Sequence, residues 1–196
     1  MARKDETKWE MLNVAMSYFQ EYIHGKPTKY SLSIVDLLHV SNFKGGNASI
    51  TEPEAQLVQK LDEYAKKLVE IGNLIGSQKL IELSAEKREQ LKTLGMSFLE
   101  LTQKEKTKIR GFGPSYASAL MAAHFPDALP VLDRRVLNGA EIHVEYQSQG
   151  QVKNINTYYT KLIDAFHATL SNEPSLSLRQ LDKRWFSKDM PKKKQT

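Results

Sequence analysis

Between Ile109 and Ala117 the chain reads Ile-Arg-Gly-Phe-Gly-Pro-Ser-Tyr-Ala, and an aspartate follows at Asp133. Two glycines one residue apart allow a sharp turn. Gly111 and Gly113 can take positive φ without steric cost and leave their N–H groups uncovered. Pro114 suits the first position of a helix, because its φ is preset and it wastes no donor there. A helix N-terminus behind such a turn offers backbone amides and a positive dipole end to a phosphate oxygen. Arg110 beside the turn adds charge of the right sign for a phosphate. Asp133, just before the helical segment that begins at Arg134, is a favoured helix cap. It is equally a carboxylate able to stabilise developing positive charge or to activate a nucleophile.

The combination is more specific than its parts. Ile109, Gly111, Phe112, Gly113 and Ala117 stand in register, His124-Phe125-Pro126 follows, and Pro130-Val131-Leu132-Asp133 opens a further helix. This arrangement resembles the helix-hairpin-helix of the endonuclease III, adenine-glycosylase and 8-oxoguanine-glycosylase superfamily. That family's motif reads roughly Leu-Pro-Gly-Val-Gly-x-x-x-Ala, with a Val-Asp or Leu-Asp pair after a return loop. Leu132-Asp133 matches the pair, whereas Ile-Arg replaces Leu-Pro before the first glycine. The likeness is clearest from about 98 to 140 and fainter from 30 to 75.

The resemblance implies an all-α, two-lobed helix-hairpin-helix glycosylase fold with a central cleft. Residues 30–133 would form a helical barrel, residues 1–29 and 134–196 a second lobe, and residues 188–196 a disordered basic tail. It implies a small member that flips a damaged, mispaired or modified base out of double-stranded DNA and cuts its N-glycosidic bond. The implied roles are catalysis by Asp133 and a backbone grip by Arg110, Gly111, Phe112, Gly113, Ser115 and Tyr116. The loop holding Asn42, Lys44 and Asn47 would be probe and pocket rim, since its Gly-Asn-Ala-Ser-Ile run is similar to the asparagine-rich loop of 8-oxoguanine glycosylases. Strand-cleaving relatives carry a lysine two residues beyond the second hairpin glycine; here Ser115 stands there. A hydroxyl forms no Schiff base, so a monofunctional enzyme using water is expected, with Lys44 and Lys153 as the alternative amines. No cofactor is implied, beyond a monovalent cation that the hairpin can admit.

Glycosidic cleavage develops positive charge on the sugar. A carboxylate about 4 Å away contributes on the order of 4 kcal/mol at an effective dielectric near 20. That is roughly a thousandfold in rate. Two other classes stay open: a helix-hairpin-helix that only anchors DNA, and a helical interaction domain whose glycines merely connect helices.

Composition narrows the field. The chain has no cysteine, which excludes disulfides, thiol catalysis and a cysteine-held iron–sulfur cluster. Five scattered histidines lack metal-ligand spacing. His124 is expected at a half-buried helix end with no special role. The net charge of +5 favours a polyanionic partner, with Lys104, Lys106, Lys108 and Arg110 just ahead of the hairpin. No run approaches the roughly 20 apolar residues of a membrane span, and the N-terminal residues lack an apolar leader. A cytoplasmic, DNA-associated monomer is the expectation. Repair and defence against foreign DNA are both compatible with such an enzyme.

These groups must be held by helices. Trp9, Leu12, Met16, Phe19 and Ile23 step by three and four, and Gly25 and Pro27 end that stripe. A second helix is expected over Ser31–His39, then a polar loop from Ser41 to Ile50. Thr51 and Glu54 make a capping box for a third helix through Leu57, Leu61, Ala65, Leu68 and Ile71. Leu91, Leu94, Phe98 and Leu101 form the stripe before the hairpin. Two more helices follow an irregular region from Glu145 to Lys153, one through Tyr159–Leu170 and one through Leu178–Trp185. Ile142–Tyr146 is the only stretch that reads as local strand pairing.

Overall fold

The periodic stripes become helices. A computed structural model describes residues 2–46, 48–148 and 150–188. Asn47 and the tail from 189 to 196 lie outside the described residues. Eight α-helices are seen among the described residues: α1 (Ala2–His24), α2 (Ile34–Phe43), α3 (Glu54–Ile75), α4 (Ala85–Glu100), α5 (Pro114–His124), α6 (Arg134–Gly139), α7 (Tyr159–Asn172) and α8 (Leu178–Phe186). No strand forms among them, so the chain is all-α. Two isolated bridges occur among the described residues, Ile109 with Phe112 and Tyr146 with Val152; the second closes the irregular region and involves only Tyr146 of the Ile142–Tyr146 stretch that reads as local pairing.

Two boundaries differ from the sequence expectation. Helix α2 starts after Ser33, whose hydroxyl and the Asp36 carboxylate form the reciprocal cap, and it runs on to Phe43. Ser41, Asn42 and Phe43 are therefore its last turn, not loop. The driving force is burial: Val40 and Phe43 continue the apolar face of α2 into the core. Thr51 does not cap α3. The helix begins at Glu54 with Pro53 at its cap and no side-chain hydrogen bond. The proline ring disfavours helical backbone at the preceding residue, so Glu52 cannot join a helix begun at Thr51.

Helix α1 packs on α2 and α5, α3 lies along α4, and α8 crosses α6. A Cβ on Gly139 would overlap the backbone of Trp185, so only glycine allows this close crossing of α6 and α8. Buried apolar side chains form one connected cluster from Trp9 to Phe186. Within it Tyr64 meets Phe98 and Phe112 edge to face, at 5.2 and 5.9 Å between centroids. Such aromatic pairs add about 1 kcal/mol each beyond the area they bury. They tie the hairpin to α3 and α4.

Candidate active site

The hairpin is held from below by its apolar residues. Ile109 is buried and Phe112 is only 1% exposed. Phe112 therefore anchors the turn, and its own amide donates to the Ile109 carbonyl at 3.0 Å. Its ring is packed inward and its N–H is already bonded, so Phe112 meets the cleft it lines chiefly through backbone.

The two glycines serve different ends. Gly111 has φ +81°, and a Cβ there would press on the Ser49 carbonyl at 3.0 Å. It is needed for the turn itself. Gly113 does not take positive φ: it caps α5 in extended backbone, φ −86°. A Cβ on Gly113 would meet nothing within 4 Å. The space above it is open. Among the described residues the amides of Gly111, Gly113 and Ser115 meet no protein acceptor, as the first turn of a helix requires.

A clasp unforeseen in the sequence fixes the near side. Glu52 accepts from the Arg110 amide at 2.9 Å and from Lys60 at 2.5 Å, and Lys60 also reaches the Lys108 carbonyl at 2.7 Å. Burial alone would push the Glu52 carboxyl up; Lys60 and the Arg110 amide outweigh it and hold it low. The Arg110 side chain stays exposed beside the turn. Lys104 and Lys108 pair with Glu100 and Glu105, so part of the basic stretch is neutralised locally.

Asp133 sits across from the hairpin as the N-cap of α6. Its Oδ1 accepts from the Arg135 amide at 2.9 Å, and its Oδ2 accepts from Lys44 Nζ at 2.7 Å. Cap and cleft-facing carboxylate are thus one residue in two roles, with the side chain 22% exposed. Burial would raise the Asp133 carboxyl, but the Lys44 ammonium, the Arg135 amide and the Arg134 charge prevail and hold it below the usual carboxylate range. It is anionic at neutral pH.

Ser118 couples this carboxylate to the hairpin. It is fully buried on α5, donates to the Ser115 carbonyl at 2.9 Å and accepts from the Leu132 amide at 2.8 Å. The sequence does carry a hint of this: a second serine in a helix otherwise rich in alanine. The Tyr159 hydroxyl donates to the Pro130 carbonyl at 3.1 Å and steadies the same return loop.

A cleft of about 950 Å³ joins these groups. Gly111, Gly113, Ser115, Tyr116 and Asp133 line it, together with Glu52. Of the three loop residues, Lys44 comes to Asp133. Asn42 lies exposed on the last turn of α2 and lines neither this cleft nor its neighbour; Asn47 is outside the described residues. Of the two alternative amines, only Lys44 reaches the carboxylate, whereas Lys153 is exposed and faces Glu145 at 3.5 Å.

A second cavity of about 390 Å³ opens on the other side of Asp133. Trp9, which reads as core stripe, and Phe43, which reads as loop, form its wall with Phe186, and Arg179 and Asp182 supply its polar floor. Sequence reasoning missed this pair, because Arg179 and Asp182 look like the solvated face of α8. Among the described residues no group of three or more His, Asp or Glu is placed to hold a metal ion, and no helix is long and apolar enough to cross a membrane. Comparison with protein-family models, curated proteins and solved structures gave no match for this chain.

Proposed function

We propose that this chain is a DNA glycosylase of the two-lobed helix-hairpin-helix type, which extrudes a base from duplex DNA and hydrolyses its N-glycosidic bond. The observation that carries this is the ionised Asp133, ion-paired to Lys44, in a cleft whose opposite rim is a helix N-terminus with open amides. On this reading residues 30–133 form the barrel, and the flanking segments form the second lobe.

The chemistry divides among three groups. The amides of Gly113 and Ser115, with the α5 dipole behind them, bind a phosphate and position the duplex without reading its sequence. Extrusion costs a few kcal/mol of stacking and pairing, which contacts to the displaced base must offset. Asp133 then stabilises the positive charge that grows on the sugar and accepts a proton from the attacking water. Lys44 keeps the carboxylate ionised and oriented. The leaving base departs with the bonding electrons, and the product is an abasic site with an intact strand. No cofactor enters the reaction.

The Lys44–Asp133 contact also favours a second reading, in which Lys44 is the nucleophile. Asp133 would take the ammonium proton, and the freed amine would attack the anomeric carbon; the base leaves with the bonding electrons, and opening of the sugar ring gives the Schiff base. A pure backbone anchor has no use for either group in the cleft.

The test is to incubate the purified protein with duplexes that each carry one defined lesion or modified base, and to score abasic sites by hot-alkali cleavage. Abasic sites on at least one substrate are expected. Tight duplex binding with no excision anywhere would leave only the anchoring role, and absence of DNA binding would remove both.

A further inference from the structure

We infer that the smaller cavity beside Asp133 receives a nucleobase by a lactam edge, an N–H next to a carbonyl as in guanine, hypoxanthine, uracil and thymine. Only the manner in which the base arrives rests on the glycosylase reading.

The starting point is a buried carboxylate with an unused oxygen. Asp182 is 3% exposed. Its Oδ2 accepts from Arg179 Nη1, while its Oδ1 has no partner although it is shut off from solvent. Arg179 is in the mirror situation. Its Nε donates to Asn13 Oδ1 at 3.0 Å, its guanidinium lies 4.7 Å from the Trp9 ring and 5.3 Å from the Phe43 ring, and its Nη2 has no partner. Leaving such groups unpaired in an apolar surround costs free energy, and folded proteins seldom tolerate it without a use. Both residues line the cavity. The ion pair therefore keeps one anionic acceptor and one cationic donor at the cavity wall, steadied by Asn13 and two aromatic rings, and a ligand engages them once the wall side chains shift to uncover them.

The shape of the site suits a flat heterocycle. A volume of about 390 Å³ is at the small end of ligand sites and admits one or two fused rings. Trp9, Phe43 and Phe186 give the cavity an apolar wall, and the Arg179 guanidinium over the first two rings adds a planar surface of the kind on which bases stack. Asp133 lines this cavity as well as the large cleft, so a base seated here lies beside the carboxylate proposed to act on its sugar.

The charges then choose among bases. An anionic acceptor gains most from an acidic N–H, and a guanidinium gains most from a carbonyl oxygen. A lactam supplies both, side by side. Adenine and cytosine offer instead a weakly acidic amino group next to a ring nitrogen, which satisfies each charge less well. Burial, opposed only in part by Arg179, pushes the Asp182 carboxyl up to about 6, so the acceptor is ionised at neutral pH.

The test uses free bases, so that neither DNA nor catalysis is needed. Hypoxanthine, adenine and 1-methylhypoxanthine have nearly the same size; the last keeps the carbonyl and lacks the N–H. Their affinities for the wild-type protein are to be measured by ligand-observed NMR. Hypoxanthine should bind at least about tenfold tighter than either of the others, the worth of one charge-assisted hydrogen bond. Asp182→Asn should erase that preference. If Asp182→Asn does not fold, Leu12→Trp, which fills the cavity from a half-buried position on α1, should abolish hypoxanthine binding instead. Equal affinity for the three bases, or no binding of any, overturns the assignment and leaves a cavity for water. Abasic-site formation on duplexes together with equal free-base affinities sinks the pocket but not the glycosylase. A lactam preference without excision from any duplex sinks the glycosylase but not the pocket.

Discussion

Lys44 Nζ lies 2.7 Å from Asp133 Oδ2 and joins residues 89 positions apart. The end of α2 is thereby tied to the start of α6. The pair has a thermodynamic sign. A carboxyl held below its unfolded value stabilises the fold above that value, and the contribution is lost as pH falls through the folded one. It also has a chemical sign, since an anion beside the proposed sugar position is what glycosidic cleavage needs.

Asp133→Asn should keep the fold and duplex binding, because the amide oxygen can still accept from the Arg135 amide. Base excision should fall at least about a hundredfold, since the carboxylate's charge and its proton acceptance are gone together. Single-turnover rates on a substrate that the wild type processes decide the matter. A rate near wild type would remove Asp133 from the mechanism.

Lys44→Met removes the main charge that holds the Asp133 carboxyl down. The acid limb of the pH–rate profile should therefore move to higher pH, with duplex binding little changed. Borohydride trapping on the wild type separates the two nucleophiles. No covalent adduct is expected if water attacks. An adduct that forms with Lys153→Ala but not with Lys44→Ala would establish the lysine as nucleophile instead.

Gly113→Val should weaken duplex binding without harming the fold, because the new side chain enters the open space above the helix N-terminus. Wild-type affinity should fall steeply with salt: if about five phosphates are neutralised, log K declines with log salt at a slope near about −4.5. A well-folded variant with unchanged affinity and slope would refute the phosphate grip. Gly111→Val is no substitute for this test, since φ +81° and the Ser49 carbonyl make that position structural.

His124 gives the protein an acid weakness. It is buried at 4% exposure rather than half-buried, with neither ring nitrogen hydrogen-bonded. Burial, helped by the charges of Lys26 and Lys29, pushes it down from 6.5 to about 3. Unfolding releases it to take a proton, so stability is whole above its unfolded value and drains away as pH falls toward about 3. Near pH 4 the loss is on the order of 3 kcal/mol. Asp182 works the other way in part of this range, because its folded value is raised. Thermal unfolding of wild type and His124→Leu at a series of pH values isolates the histidine. The variant should show the flatter acid decline, and parallel curves would contradict the assignment.

What the sequence by itself determined is local. The stripes of α1, α3, α4, α7 and α8 follow from the spacing of apolar side chains, the start of α5 from Pro114, and the capping by Asp133 from the residue type ahead of Arg134. Where local signals competed the sequence misled: the Thr51–Glu54 box was outweighed by Pro53, and the polar run from Ser41 hid the last turn of α2. Burial and approach were decided only by the tertiary structure. Periodicity says that Trp9 faces inward; it does not say that Trp9 and Phe43 flank Arg179, whose partner Asn13 is 166 positions away. Neither does it say that Phe112 is an anchor, that the two hairpin glycines differ, or that Lys44 finds Asp133. Each of these depends on how helices distant in the chain are rotated and set against one another. That packing is a sum of many weak contacts, and no short stretch of sequence encodes it.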